Sequence, residues 1–378
     1  MDLGLTSEQE MLQNSAREFL EKEAPRTVIT DIDDSPTGFS PELWRKMAEL
    51  GWAGLLVPEQ YGGLGTDLLT TAVLHEELGH AAVNTPLHSS AVLSALALMA
   101  GGSESQKQQY LPAIASGERI VAFALTEPNY GWTPQHVQVT AQQQGAGYVL
   151  NGTKLFVPDA HVADNIIVLA RTAQGNGSGD GLTLFIVDKA APGVTVRDLG
   201  GFTAGRLCEV TFENAQVPQA NVIGQPGRAW SIVEPVLDKA TLIACAASVG
   251  GSQAVFEITQ GYVTTRIQFG VPIGTFQRVQ DHVIELVNAL DTARWTTYEA
   301  LWKADAAKPG VSEAVSVAKI ASSEGFHTAC NNAHRAHGGI GISKRYGLYL
   351  YTKASRTLYS YLGDPVYHRK RLVSLLGI

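Results

Sequence analysis

Several short stretches of the sequence carry residue types that could support catalysis or ligand binding. The stretch "HEELGHAA" (75–82) combines His75 and His80 with two glutamates. The histidines are five residues apart, so they do not share a helix face as the zinc motif H-E-x-x-H requires. The chain contains no G-x-S-x-G nucleophile elbow, which leaves serine-hydrolase chemistry without support. We therefore expect neither a metal site nor a hydrolase.

Two glycine-rich stretches could bring backbone close to a ligand. "PEQYGGLG" (58–65) lacks both the phosphate-loop pattern and the strand-loop-helix context of a dinucleotide site. It is more typical of a tight loop. "HRAHGGIG" (334–341) places Gly338 and Gly339 where backbone could approach a ligand, although a helix C-terminus explains them equally well. Neither stretch alone predicts a function.

The bulk properties exclude several classes of protein. The 378 residues exceed what one core usually serves, and a net charge of −8 without a basic run argues against nucleic acid or an anionic membrane as partner. The most apolar segment (91–102) is too short to span a membrane. The first residues lack the pattern of a signal peptide. Three widely spaced cysteines suggest no disulfide framework. We expect a cytoplasmic protein.

The hydrophobic patterns divide the chain into three zones. In the first, "SPELWRKMAELGW" predicts a helix capped by Ser40, with Pro41 in its first position and Gly51 at its end. The apolar stripe expected on this helix is Leu43, Met47 and Leu50. From about residue 226, long helical patterns return, for example in "RVQDHVIELVNALDTARW". The order is helices, a small β unit, and helices.

The middle zone has the pattern of short strands. "NIIVLART" and "LTLFIVD" are rich in β-branched residues, with the turn residues "AQGNGSGDG" (173–181) between them. In "YVLNGTKLFV" (148–157), Asn151-Gly152 stands between apolar stretches and predicts a hairpin turn. Strands of this length are typical of a small sandwich or barrel.

Six blocks in a fixed order resemble the acyl-CoA dehydrogenase family over essentially the whole chain. They are "GLLVPEQYGGLG", "AFALTEPNYG", "LNGTKLFV", "LFIVDKAAPGV", "RIQFGVPIGTFQ" and "AHGGIG". The resemblance implies an α+β fold with an N-terminal helical domain (1–119), a central β-sandwich or barrel domain (120–225) and a C-terminal domain like a four-helix bundle (226–378). It also implies a dimer or tetramer with flavin at a subunit interface.

The resemblance further implies an oxidoreductase that uses FAD. In such enzymes a carboxylate removes the α-proton of an acyl-CoA thioester while the β-hydrogen leaves as hydride to FAD. Electrons then pass to an electron-transfer flavoprotein. By position, the cofactor-binding residues would be Phe123, Leu125, Thr126, Phe156, Arg266, Gln268, Phe269, Arg335, Gly338 and Gly339. The substrate-binding residues would be Trp132 and Asp238.

The chain departs from the family where the catalytic base should be. The family takes its base from one of two glutamates, and the corresponding residues here are Leu362 and Ala240. Bulky Trp132 replaces a small serine, and Pro158 replaces a threonine that meets the flavin. Asp364 lies two residues beyond Leu362 and could either substitute for the base or cap a helix.

These departures leave three hypotheses open. The chain could be a dehydrogenase with a displaced base or an unusual substrate. It could instead be the partner subunit of a heteromeric dimer of dimers, as in bacterial members acting on steroid side chains, completing a neighbour's FAD site without supplying a base. Flavin-dependent hydroxylation on the same fold is a weaker third possibility.

Overall fold

The computed structural model describes residues 4–174 and 179–378. Part of the predicted turn 173–181, namely 175–178, lies outside the described residues. The predicted order of helices, β unit and helices is confirmed. No helix among the described residues is long and apolar enough to cross a membrane.

The N-terminal part is helical. Its helices are α1 (Ser7–Glu23), α2 (Arg26–Asp34), α3 (Pro41–Glu49), α4 (Leu68–His80), a π-helix (Leu87–Ser94), α5 (Ala95–Gly101) and α6 (Glu104–Ala115). The Ser40 side chain caps α3 by accepting a hydrogen bond from the Leu43 amide, as predicted. Leu50 departs from the expected stripe. It follows the last residue of α3 and is 50% exposed.

The middle part is an eight-stranded sheet in the order β6-β7-β3-β2-β4-β5-β8, with β1 beside β4. The strands are β1 (Val121–Ala124), β2 (Thr140–Gln144), β3 (Gly147–Pro158), β4 (Asn165–Arg171), β5 (Leu182–Asp188), β6 (Val194–Asp198), β7 (Leu207–Pro218) and β8 (Val222–Ile223). The predicted strands "NIIVLART" and "LTLFIVD" are β4 and β5. Their side chains are almost entirely buried.

The hairpin predicted at Asn151-Gly152 is wrong. Both residues lie inside β3, where the register against β7 shifts between Leu150 and Gly152. Gly152 has a φ of +130°, a value that favours glycine, and the Asn151 side chain accepts a hydrogen bond from the Asn214 amide at 2.8 Å. The Asn-Gly pair therefore forms an irregularity within a long strand rather than a turn.

The C-terminal part is a helical bundle with one small hairpin. Its elements are α7 (Trp230–Thr265), β9 (Ile267–Gln268), β10 (Val271–Pro272), α8 (Gln277–Asp305), α9 (Val311–His337), α10 (Leu348–Ser360) and α11 (Pro365–Leu376). α9 packs against α7, α8, α10 and α11.

Glycines bring the N-terminal helix α4 into close contact with α7. A Cβ on Gly79 would lie 2.0 Å from the Ala247 carbonyl oxygen, and a Cβ on Gly250 would lie 1.8 Å from that of Glu76. Each helix has a glycine at the contact, because a larger residue there would collide with the backbone of the other helix. Residues of both helices at this contact line the second of the two cavities described below.

Candidate active site

The β unit and the C-terminal helices enclose a cavity of about 200 Å³, the front cavity. It brings together three residues that the sequence predicts for cofactor or substrate, Thr126, Trp132 and Phe156. Its other lining residues are Tyr130, Thr203, Leu207, Arg356, Thr357, Ser360 and Tyr361. None of the residues lining the front cavity is a carboxylate.

One wall of the front cavity is aromatic. The Tyr130 ring packs edge-on against both Trp132 and Phe156, with centroids 5.8 Å apart in each pair. Tyr130 and Phe156 both have a φ of +54°. Bulky residues rarely adopt this conformation, and such strain is concentrated at functional sites. Sequence reasoning missed Tyr130, although it lies inside the "TEPNYG" block.

A buried ion pair holds the two segments that form this wall. The Lys154 Nζ lies 2.7 Å from Glu127 Oε1, and the two side chains are 0% and 2% exposed. Lys154 also donates to the Leu125 carbonyl at 3.1 Å. Glu127 in turn accepts from the Gln138 amide at 2.7 Å and the Val139 amide at 3.1 Å. Burial lowers the pKa of Lys154. The pair therefore joins the "TEP" and "NGTK" segments.

Two of the predicted flavin contacts, Phe123 and Leu125, do not line the front cavity, whereas Thr126 does. The side chains of Phe123 and Leu125 are buried in the core. The Leu125 carbonyl already accepts a hydrogen bond from Lys154, and the Thr126 carbonyl accepts one from the Leu155 amide at 2.8 Å. The Thr126 side chain is left facing the front cavity.

A second cavity of about 130 Å³, the inner cavity, shares Leu207, Thr357 and Tyr361 with the first. Most of its wall is apolar. It is lined by Leu78, Ala82, Val83, Leu87, Ala244, Ala247, Phe326, Ala354 and Leu358, together with Pro158 and a few polar groups. Tyr361 thus stands between the two cavities.

Two buried histidines line the inner cavity. His75 Nδ1 lies 3.0 Å from the Thr71 carbonyl oxygen, and His88 Nε2 lies 2.9 Å from that of Ala240. Since a carbonyl only accepts, these nitrogens carry the protons. The Tyr361 hydroxyl lies 3.2 Å from His88 Nδ1 and donates to it. Burial lowers the pKa of His75 to about 3 and of His88 to about 4, while it raises the pKa of Tyr361.

Asp159 is the one carboxylate that lines either cavity within the described chain. Its Oδ2 accepts a hydrogen bond from the Ser89 hydroxyl at 2.6 Å. Burial raises the pKa of Asp159. The residue has a φ of +59° and follows Pro158, the departure noted in the sequence.

Both positions that carry the base in the family are buried and apolar here. Leu362 is 6% exposed and Ala240 is 0% exposed. Each residue's carbonyl is engaged by a histidine, Ala240 by His88 and Leu362 by His368 Nε2 at 3.0 Å. Neither residue lines the front or the inner cavity.

The two nearby aspartates make structural contacts instead. Asp364 is the N-cap of α11 and accepts a hydrogen bond from the Tyr367 amide at 2.7 Å. Asp238 pairs with Arg371 at 2.8 Å and accepts from the Ser312 hydroxyl at 2.7 Å. Asp238 lines neither cavity, so these contacts give no support to its predicted role in substrate binding.

The remaining predicted cofactor residues lie at a different place, on the surface. Tyr262 of α7 stacks on His337 of α9 with ring centroids 4.5 Å apart, which joins the C-terminal ends of the two helices. Phe269 there is 92% exposed, with a φ of +52°. A Cβ on Gly338 or Gly339 would meet open space. The predicted cofactor residues at this end are all exposed, namely Arg266, Gln268, Phe269, Arg335, Gly338 and Gly339. We call this group the helix-end surface.

Comparison with known proteins identifies the family. Three family models match in order: the acyl-CoA dehydrogenase N-terminal domain over residues 6–118, the middle domain over 122–215 and the C-terminal domain over 227–374. The probable acyl-CoA dehydrogenase YngJ of Bacillus subtilis is 35% identical over 92% of this chain and 92% of its own length.

Solved structures agree with these matches. Butyryl-CoA dehydrogenase from Megasphaera elsdenii superimposes with a TM-score of 0.93 at 28% identity, covering 100% of both chains. A chain of the ChsE4-ChsE5 complex from Mycobacterium tuberculosis has a TM-score of 0.91 at 26% identity, covering 100% of this chain and 99% of its own.

The fold and cavities define a flavoprotein oxidoreductase. The chain belongs to the acyl-CoA dehydrogenase family, whose cofactor is FAD. The residues present fit this cofactor in two places. The front cavity offers an aromatic wall and the Thr126 side chain for a flavin ring. The helix-end surface offers an exposed arginine and open glycines for a phosphate-bearing group.

Proposed function

We propose that this chain works in an oligomer that dehydrogenates an acyl-CoA thioester, as a partner subunit that does not supply the base. The observation that carries the proposal is the state of the two base positions. Leu362 and Ala240 have no proton-accepting side chain, and neither lines the front or the inner cavity. Electrons would leave the assembly through an electron-transfer flavoprotein.

The polar groups beside the cavities are poor substitutes for a base. A general base works best when its pKa is near the working pH. The pKa values of His75 and His88, about 3 and about 4, make both weak proton acceptors. Tyr361 holds its proton, since burial raises its pKa. These groups can orient a ligand or exclude water. Their pKa values are far from the working pH, so they are poor acceptors for an α-proton.

In the proposed assembly, FAD supplies the acceptor for the hydride. The residues of this chain bind the cofactor and shield it from water. Phe156 and Trp132 present apolar ring surface to the front cavity, and Thr126 presents a hydroxyl. An aromatic wall of this kind keeps water from a reacting site. Arg356 adds a positive charge to the lining of the cavity.

The helix-end surface would serve a neighbouring subunit. Phe269 is 92% exposed, and Ile267 and Val271 on the same hairpin are 51% and 40% exposed. A contiguous apolar patch of this kind marks an interaction site. Arg266 is suited to a pyrophosphate by a charge-assisted contact. The similarity to a chain of the ChsE4-ChsE5 complex supports a heteromeric assembly.

A second candidate is a chain that is catalytic by itself through a displaced base. Asp159 motivates it, because it lines the inner cavity. Its raised pKa and its hydrogen bond with Ser89 weigh against it. Loss of all turnover in Asp159→Asn, with FAD content unchanged, would favour this candidate over the partner role.

The test of the partner role is FAD retention in the purified assembly. Arg266→Ala should reduce bound FAD per assembly, because a phosphate group loses its cation. Arg45→Ala is the control, since Arg45 is exposed on α3 and pairs only with Glu49 within the described residues. FAD content that is equal in the two variants would contradict the role given to Arg266.

A further inference from the structure

The inner cavity contains a carboxylate that no cation of the chain neutralises. Asp159 lines the cavity and is partly exposed. Its one side-chain hydrogen bond joins Oδ2 to the Ser89 hydroxyl at 2.6 Å. The other oxygen, Oδ1, has no donor within the described chain, yet it is not one of the fully enclosed polar atoms. Oδ1 is therefore an acceptor that a ligand can reach.

The other charged residue in the lining, Arg206, is balanced outside the cavity. Its Nη2 donates to the Ser35 carbonyl at 2.7 Å. Its Nε is fully enclosed and faces Asp198 Oδ2 at 3.4 Å. Asp198 does not line the cavity. The positive charge of Arg206 is thus paired with a different carboxylate and leaves Asp159 without a counter-ion.

The two histidines of the lining do not supply a positive charge either. His75 and His88 are neutral, because burial lowers their pKa values to about 3 and about 4. Burial raises the pKa of Asp159 by more than the Ser89 hydrogen bond and the charge of His161 lower it. His161 does not line the cavity. The charge of Asp159 is therefore undercompensated where a ligand would meet it.

Most of the remaining lining is apolar, with Leu78, Leu87 and Phe326 among its residues. At about 130 Å³, the cavity is far larger than the roughly 10–15 Å³ that one water needs. A carboxylate in apolar surroundings is unfavourable unless it is paired. A hydroxyl would offer it only a hydrogen bond, whereas an ammonium offers a charge-assisted hydrogen bond and the opposite charge. The cavity therefore suits an apolar body that carries an ammonium.

We propose that the inner cavity binds an apolar group bearing an ammonium, and that this ammonium donates to Asp159 Oδ1. Where the ligand is the acyl group of the thioester, a step that rests on the proposed function, that acyl group carries an amine. Asp159 is then a specificity-determining residue. Its φ of +59° agrees, because strained backbone is concentrated at functional sites.

The first arm of the test uses small molecules and the full-length chain. Cyclohexylamine and cyclohexanol have nearly the same shape and both donate a hydrogen bond, but only the amine is charged at neutral pH. Titration calorimetry should show the amine binding about tenfold more tightly, the worth of one hydrogen bond to a charged group.

Two variants with the same change in net charge locate the effect. Asp159→Asn should abolish the preference for the amine, and it should fold, because asparagine tolerates a positive φ. Asp281→Asn is the matched control and should keep the preference, since Asp281 pairs with Arg278 at 3.0 Å and does not line the cavity.

Equal binding of the two molecules by the unaltered chain, or tighter binding of the alcohol, overturns the inference whether or not Asp159→Asn folds. A preference for the amine that survives in folded Asp159→Asn, or that Asp281→Asn loses to the same extent, also overturns it.

The second arm compares hexanoyl-CoA with 6-aminohexanoyl-CoA on the FAD-loaded assembly. Tighter binding of the amino thioester supports the substrate class, and equal binding or tighter binding of hexanoyl-CoA refutes it. If neither thioester binds although the amine preference holds, the proposed function fails while the cavity remains a site for ammonium ligands.

Discussion

The buried pair of Lys154 and Glu127 allows the sharpest prediction about the site's framework. Lys154→Met removes the ammonium and leaves the Glu127 carboxylate 2% exposed with two backbone N–H donors. Removing one partner of a buried ion pair typically costs about 3–5 kcal/mol. We expect a loss of that size in the free energy of unfolding, measured by urea denaturation.

A second change in the same background tests the cause. Lys154→Met with Glu127→Gln removes the stranded charge and keeps an oxygen for the backbone donors. This double variant should recover about 1–3 kcal/mol relative to Lys154→Met alone. Lys303→Met is the control, because Lys303 pairs with Glu299 at the helix surface. Its cost should stay within about 0.5 kcal/mol. If Lys154→Met lowered the free energy of unfolding no more than this control, the ion pair would not stabilise the aromatic wall of the front cavity.

Three further changes test other parts of the account. Gly250→Ala places a Cβ 1.8 Å from a backbone oxygen of α4, so it should destabilise the chain by about 1–3 kcal/mol or more; a denaturation midpoint equal to that of the unaltered chain would contradict the close packing. The pKa values of His75 and His88 are lowered from 6.5 to about 3 and about 4. The unfolded chain therefore binds more protons below pH 6.5, and stability falls by about 1.4 kcal/mol per pH unit for each histidine, or about 2 kcal/mol each at pH 5. Thermal unfolding between pH 7 and pH 5 checks this, and a flat profile would mean that these histidines are not buried neutral. Leu362→Glu alone should not create dehydrogenase turnover, because Trp132 still fills the place of a small residue; robust reduction of an electron acceptor by that variant would refute the claim.

The sequence predicted the architecture well because its signals are local. Helix α3 begins at the cap and proline that the sequence contains, and β4 and β5 are the two β-branched stretches. The Asn151-Gly152 prediction failed because the same dipeptide suits a turn or a strand irregularity, and only pairing with β7 decides between them. The exact domain limits at residues 119 and 225 remain a prediction.

Only the site residues that the family resemblance indicates could be predicted from the sequence. Thr126, Trp132 and Phe156 line one cavity, and their roles toward cofactor and substrate remain a prediction. The Lys154–Glu127 pair and the histidines His75 and His88 were missed, because long-range partners leave no spacing signal. His75 was considered only as a metal ligand with His80. Its actual neighbour is His88, which follows in a different helix.

The most direct test of the partner role is the visible absorption spectrum of this chain purified alone, with FAD per chain quantified, before and after mixing with a base-carrying subunit. We expect a colourless chain, or a yellow one that acyl-CoA does not bleach, and dehydrogenase activity only after mixing. One FAD per chain that is bleached by an acyl-CoA thioester, with turnover by the chain alone, would contradict it.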